Sequence, residues 1–167
     1  MSGLFIQMTG LSGAGKTTLA SAVASKLKKD GFKVEVIDGD EYRKGLCADL
    51  GFSKQDRNTN IERLGFVGKV LARNGIIAVM SAINPYEETR RIIEGKIVYI
   101  KCALDTVIRR DTKGLYAKAL AGEIENFTGI SDPFEEPPDP ALVIETDKES
   151  QEASTTKLYE FILENLK

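Results

Sequence analysis

Apolar, β-branched-rich runs fall at Leu4–Thr9, Lys33–Ile37, Ile76–Ala82, Ile97–Cys102 and Ala141–Glu145, and the pattern predicts a strand at each. Between them, apolar side chains recur at helical spacing. Leu19, Val23 and Leu27 form one stripe over Lys16–Lys29, with Gly31 as the stop signal. Ser53 is a predicted N-cap with Asp56 in the first turn, and Ile61, Leu64, Val67 and Leu71 then share a face before Gly75. Leu158, Ile162 and Leu166 mark a closing amphipathic helix within Glu149–Leu166. Strands alternating with helices require crossover connections, which make the sheet parallel and place helices on both faces. The expected fold is therefore α/β, one three-layer domain over residues 1–167 with a five-stranded parallel sheet. Phe127–Pro140 breaks the rhythm. It holds four of the five prolines and the acids Asp132, Glu135, Glu136 and Asp139, so neither helix nor inner strand fits it. Loops of that length in a compact domain are functional or disordered.

Composition narrows the chemistry more than the fold. The 167 residues are 42% hydrophobic and 29% charged, ordinary for a globular chain with room for one continuous core. With 23 basic against 25 acidic residues the net charge is −2, so no nucleic-acid partner held by a globally basic surface is expected. A small anion gripped by a few arginines remains compatible. Histidine is absent, which removes a histidine base, a histidine-based triad and most zinc or iron sites. Cys47 and Cys102 are far apart and in no Cys-x-x-Cys spacing, and are read as ordinary reduced thiols. The N-terminus lacks a basic leader followed by an apolar run, and no stretch approaches the ~20 apolar residues of a span. A cytoplasmic protein with no membrane partner is the expectation.

Gly10-Leu11-Ser12-Gly13-Ala14-Gly15-Lys16-Thr17 matches G-x-x-x-x-G-K-[ST] between a predicted strand and a predicted helix, the context that motif requires. Glycines let backbone N–H groups converge on phosphate oxygens, and the helix N-terminus adds a favourable dipole. Lys16 is placed to reach the β- and γ-phosphates, and the Thr17 hydroxyl to ligate Mg²⁺. The fold is thus expected to be of the P-loop NTPase/kinase type. The guanine signature of GTPases, Asn or Thr before Lys-x-Asp, is absent, and the chain is too short for the added modules of most mechanical ATPases. A kinase for a small molecule leads.

The second strand ends in Asp38-Gly39-Asp40, and open α/β sheets bind ligands beyond the carboxyl ends of their strands. Two carboxylates there can hold Mg²⁺ or take the proton of an attacking hydroxyl; an Asp-Gly turn that merely closes a strand is the plainer alternative. Arg43 follows, and Arg57, Asn60 and Arg63 lie along the helix after Ser53. Arginines beside a phosphate site suit bidentate recognition of an oxyanion, although spacing alone also fits a solvated helix face.

Longer motifs carry a resemblance. Asp38-Gly39-Asp40-x-x-Arg43-x-Gly45-Leu46, then Leu50-Gly51-Phe52-Ser53-x-x-Asp56-Arg57-x-x-Asn60-Ile61, resembles the adenylylsulfate kinase family. The likeness continues in Ser81-Ala82-Ile83-Asn84-Pro85-Tyr86, Arg110-Asp111-x-Lys113-Gly114-Leu115-Tyr116 and Gly122-Glu123-Ile124-x-x-Phe127-Thr128-Gly129-Ile130, covering roughly residues 4 to 147. It implies ATP-dependent phosphorylation of the 3′-hydroxyl of adenylylsulfate, giving 3′-phosphoadenylylsulfate and ADP, with Mg²⁺. It implies ATP contacts from Gly10, Ser12, Gly13, Ala14, Gly15, Lys16, Thr17, Thr18 and Arg110. Lys16 and Asp40 would be catalytic. Phe52 and Phe127 would sandwich the substrate adenine, while Arg43, Arg57 and Asn60 hold its phosphosulfate and ribose end. Asp38, Asp40, Ile83 and Lys113 would complete the substrate site. The resemblance further implies a homodimer and a functional link to ATP sulfurylase.

Two positions depart from the family pattern. Many bacterial relatives carry serine where Asn84 stands, a serine associated with a phosphoenzyme; Asn84 has no hydroxyl, so direct transfer from ATP is expected. A cysteine is common where Val107 stands. Lys113, with Gly122 and Gly129 bracketing Phe127, suggests a closing lid over about 110–140. Two rival readings remain at this level: another small P-loop kinase, and a non-catalytic nucleotide-binding module that regulates a partner.

Overall fold

The computed structural model describes residues 2–166. In chain order the elements are β1 (Leu4–Thr9), α1 (Lys16–Lys29), β2 (Val34–Asp38), α2 (Gly39–Tyr42), α3 (Lys54–Arg73) and β3 (Ile77–Ser81). There follow α4 (Glu87–Ile93), β4 (Lys96–Lys101), α5 (Leu104–Arg110), α6 (Leu115–Leu120), β5 (Leu142–Glu145) and α7 (Gln151–Asn165). The five strands form one all-parallel sheet in the order β2-β3-β1-β4-β5. The α/β expectation holds, with strand ends shifted by a residue. The short helices α2, α4, α5 and α6 are too brief for periodicity to mark.

β1 lies at the centre and all six of its residues are buried. Leu4, Ile6 and Met8 point into one core layer with Leu19, Val23, Leu27, Leu158 and Ile162; Phe5 points into the other with Ile61, Leu64, Met80 and Ile93. Burial on both faces is why parallel strands read as continuous apolar runs. α3 approaches the sheet closely: a Cβ on Gly68 would stand 2.3 Å from Cε2 of Phe5, and one on Gly65 would stand 2.6 Å from Cβ of Ile93. Two glycines inside a helix cost about 1 kcal/mol each against alanine, and here they permit that contact. Ser53 caps α3, its hydroxyl accepting from the Asp56 N–H at 3.1 Å.

Residues 127–140 are neither helix nor inner strand, as the prolines require. They are strapped down. Tyr99 donates to Glu136 at 3.0 Å and stacks on Phe134 at 5.9 Å, Tyr86 donates to Asp132, and the Glu135 N–H donates to the Pro85 carbonyl at 2.9 Å. Cys47 and Cys102 are buried and free, and burial pushes both thiols up. Among the described residues no helix is long and apolar enough to cross a membrane.

Candidate active site

A cavity of about 690 Å³ opens at the carboxyl ends of β1, β2 and β3. The loop from β1 to α1 forms its floor. Gly13 and Gly15 sit at φ +78° and +105°, a region closed to most side chains. Gly10 could carry no side chain, because a Cβ would stand 2.4 Å from the Ile100 carbonyl. Ser12, Gly13, Gly15, Lys16, Thr17 and Thr18 line the cavity. Ala14 is fully buried and offers only backbone; its carbonyl accepts from Thr146 at 2.6 Å. Arg110 does not line the cavity; it donates to the carbonyls of Gly13 at 3.4 Å and Thr146 at 3.2 Å, beside the loop.

Lys16 is folded back on its own loop, donating to the carbonyls of Gly10 at 2.9 Å and Leu11 at 2.7 Å. Burial lowers its pKa to about 7; the Lys113 ammonium adds to the drop, while Asp40 and Asp38 oppose it. A phosphate would relieve this strain on the charged form.

Thr17, Asp38, Asp40 and Ser81 bring oxygen donors to the same place from α1, β2, α2 and β3. The Thr17 hydroxyl donates to Asp38 Oδ2 at 3.0 Å and lies 3.4 Å from Ser81 Oγ. The other Asp38 oxygen caps α2, accepting from the N–H groups of Asp40 and Glu41 at 3.0 and 3.2 Å. Asp38 is therefore committed to Thr17 and the helix cap. Asp40 is free of such duties: its carboxylate is 72% exposed and paired with Lys113. The two aspartates are thus divided by geometry.

The opposite wall is aromatic and basic. Arg43 donates to the carbonyls of Leu50 and Gly51 at 3.2 and 2.7 Å, and its guanidinium lies 4.3 Å from the centre of the Phe52 ring. Arg57 donates to the Phe52 and Asn126 carbonyls at 3.0 and 2.6 Å, its guanidinium 5.5 Å from that ring. Phe52 is 58% exposed, an uncovered aromatic face at the cavity edge. Phe127 also lines the cavity but is buried, held edge-on to Tyr116 at 5.0 Å. Asn60 and Ile83 complete this wall, and the Asn60 side-chain oxygen is buried with no partner. Arg63 turns elsewhere, to Asp49 at 2.6 Å.

The structure divides the segment expected to be a lid. Tyr116 is 2% exposed and donates to the Ser12 carbonyl at 2.7 Å, and Ala119 and Phe127 belong to the core. Thr112, Lys113 and the turn near Glu125 border the cavity with few such ties. Residues 127–140 are held by the contacts above, in which Phe134 meets Tyr99 of β4 and Arg90 of α4. The sequence does not mark Ser81 or Thr146 as site residues, and it marks Asn84 only as a departure from the family pattern. A serine at the carboxyl end of a parallel strand, beside a P-loop, is the signal that could have pointed to Ser81.

Residues 2–145 match the profile of the family described as Adenylylsulphate kinase. The chain belongs to that family. The adenylyl-sulfate kinase of Chloroflexus aurantiacus is 53% identical over 151 residues, 87% of this chain and 81% of that one. A probable bifunctional SAT/APS kinase of Sorangium cellulosum is 49% identical over 163 residues, spanning 95% of this chain but 28% of that larger protein. Among solved structures, the Mycobacterium tuberculosis APS kinase in complex with AMPPNP and APS superposes with a TM-score of 0.93 at 38% identity, covering 97% of this chain and 98% of that one. The likeness to APS kinases extends from motif to whole fold, and makes this chain an ATP-dependent P-loop kinase.

Proposed function

We propose that the chain transfers the ATP γ-phosphate to the 3′-hydroxyl of adenylylsulfate, giving 3′-phosphoadenylylsulfate and ADP. The observation that carries this is one continuous cavity joining a phosphate cradle to a wall built of Arg43, Arg57, Phe52 and Phe127. Guanidinium forks fit sulfate and phosphate oxygens, and aromatic faces fit a purine.

Lys16 leaves the Gly10 and Leu11 carbonyls for the β- and γ-phosphates, where its charge stabilises the transferring group. Arg110 closes the nucleotide side at Gly13. Arg43, Arg57 and Asn60 orient the phosphosulfate and ribose, with Ile83 and the two phenylalanines against the base. Asp40 receives the hydroxyl proton once Lys113 turns to the phosphates. The hydroxyl attacks phosphorus directly, since Asn84 offers no oxygen nucleophile. The oxygens of Thr17, Asp38 and Ser81 suit a hard cation, and among the described residues no cluster of three or more acidic, Cys or His side chains forms a dedicated metal cage. Thr17 would hold Mg²⁺ together with the nucleotide; the ion supplies charge neutralisation at the phosphates. A single-domain, cytoplasmic homodimer working alongside an ATP sulfurylase completes the reading, the last supported by the bifunctional Sorangium relative.

An ADP-coupled assay with adenylylsulfate, adenosine and AMP as acceptors tests it. Turnover with adenylylsulfate alone is expected; equal turnover with AMP would overturn the choice of substrate.

A further inference from the structure

Arg90, on α4, has no part in the chemistry above, yet its side chain is wholly buried. Its guanidinium holds two separate walls of the cavity. Nε donates to the Asn84 carbonyl at 3.0 Å, Nη2 donates to the Glu135 carbonyl, and Nη1 pairs with Glu87 at 2.9 Å. Its planar face lies 5.6 Å from the centre of the Phe134 ring. A charge taken out of water is costly, and well-packed apolar side chains commonly fill such a place at no loss of stability. What a buried guanidinium adds is a rigid fork of donors that fixes its partners in one geometry.

Those partners are the ends of two site segments. Asn84 sits at φ +50° in the turn after β3, whose residues Ser81 to Pro85 line the cavity. The Asn84 carbonyl also accepts from Thr9 at 2.8 Å, and its amide donates to Gln7 at 3.0 Å, so the turn is clamped from beneath by the central strand. Glu135 belongs to the strap whose other end supplies Phe127 and Thr128 to the same cavity. Around Arg90 the two segments are tied again, by the Glu135 N–H to the Pro85 carbonyl at 2.9 Å and by Tyr86 to Asp132. The Asp132 carbonyl in turn accepts from Gly129, and the Phe127 carbonyl from Asp132. The tie therefore runs without a break from Arg90 to the Phe127 backbone.

We propose that Arg90 is a positioning residue for the acceptor nucleotide: it sets the distance between the Ile83–Pro85 turn and the Phe127 strap, and so the width of the slot that takes the acceptor's base. The inference rests on the proposed acceptor reading. It predicts a loss concentrated on one substrate, because the Arg90 guanidinium bonds the Asn84 turn, Glu87 and the strap but none of residues 10–17. The ties from β1 and its loop run through backbone groups that a change of the Arg90 side chain leaves in place: Gln7 to the Arg90 carbonyl at 2.9 Å and Gly10 to the Ile83 carbonyl at 3.1 Å.

Steady-state kinetics on Arg90→Lys test this. The lysine keeps the charge but not the fork. KM for adenylylsulfate is expected to rise about tenfold or more, with KM for ATP and kcat within about twofold of the parent. Tyr86→Phe, a milder cut in the same tie, is expected to raise KM for adenylylsulfate several-fold and serves alone if Arg90→Lys fails to fold. Unchanged KM for adenylylsulfate in a folded variant would overturn the proposal, as would a joint rise in both KM values. Failure of the parent protein itself to use adenylylsulfate would instead refute the acceptor reading.

Discussion

Lys16 in the nucleotide-free protein is charged only reluctantly, and that has a measurable consequence. Its pKa lies at about 7, lowered from 10.5 chiefly by burial. A bound polyphosphate supplies the opposite charge that the empty loop lacks, so the folded pKa returns towards 10.5 or above. At pH 8 the free site is then mostly neutral and the bound site fully charged, so binding takes up roughly 0.9 proton per site, falling to roughly 0.5 at pH 7. Titration calorimetry with an ATP analogue in buffers of different ionisation enthalpy reads this number as a slope. Lys16→Met, which keeps the aliphatic stem, should abolish the uptake. Zero uptake by the parent protein at pH 8, or equal uptake by Lys16→Met, would refute the reasoning. The same shift fixes a stability trend. The folded pKa is below the unfolded one, so folding penalises the charged form. That penalty is fully present below pH 7 and is relieved as pH rises from 7 towards 10.5. Lys16→Met should therefore raise the melting temperature of the empty protein most at pH 6, with the gain fading by pH 10.

Asp40→Asn should fold normally, since the carboxylate is 72% exposed, and lose 10²-fold or more in kcat, by about the margin of a lost catalytic contact. A silent Asp40→Asn beside an inactive Asp38→Asn would mean the two roles are reversed. Gly68→Ala should destabilise by about 1–3 kcal/mol in urea unfolding, through overpacking of Phe5, and leave KM for both substrates unchanged. Amides 112–114 and 122–126 should exchange quickly in the free protein and become protected when both substrates' sites are filled, while those of the core-packed α6 and of 127–136 are protected throughout. Uniform protection of 112–114 and 122–126 in every state would leave a static surface in place of a lid.

Some of the site was open to sequence reading because its geometry is local. The P-loop glycines, Lys16 and Thr17 lie within one turn, and their spacing alone dictates a phosphate cradle. The strands were legible because burial on both faces leaves unbroken apolar runs, as in Leu4–Thr9. Asp38 and Asp40 could be placed at a strand end, but their spacing does not tell them apart; only the family resemblance singles out Asp40. Their difference arises from Thr17, 21 residues away, and Lys113, 73 residues away. Arg90 offered no signal at all: on a short helix of mixed charge it looks like a solvated arginine, and only the packing of the 127–140 strap buries it. How the 110–140 segment packs was illegible for the same reason, because nothing in Tyr116 or Phe127 themselves says that both rings enter the core.

The central claim is the transfer of one phosphoryl group to one hydroxyl. Incubation of the purified protein with ATP and adenylylsulfate, followed by phosphorus NMR and mass analysis of the products, tests it most directly. One equivalent of ADP is expected for each adenylylsulfate consumed, with a product bearing its new phosphate at the 3′ position and the sulfate retained. ADP formation without phosphorylation of adenylylsulfate, or a phosphate at any other position, would contradict it.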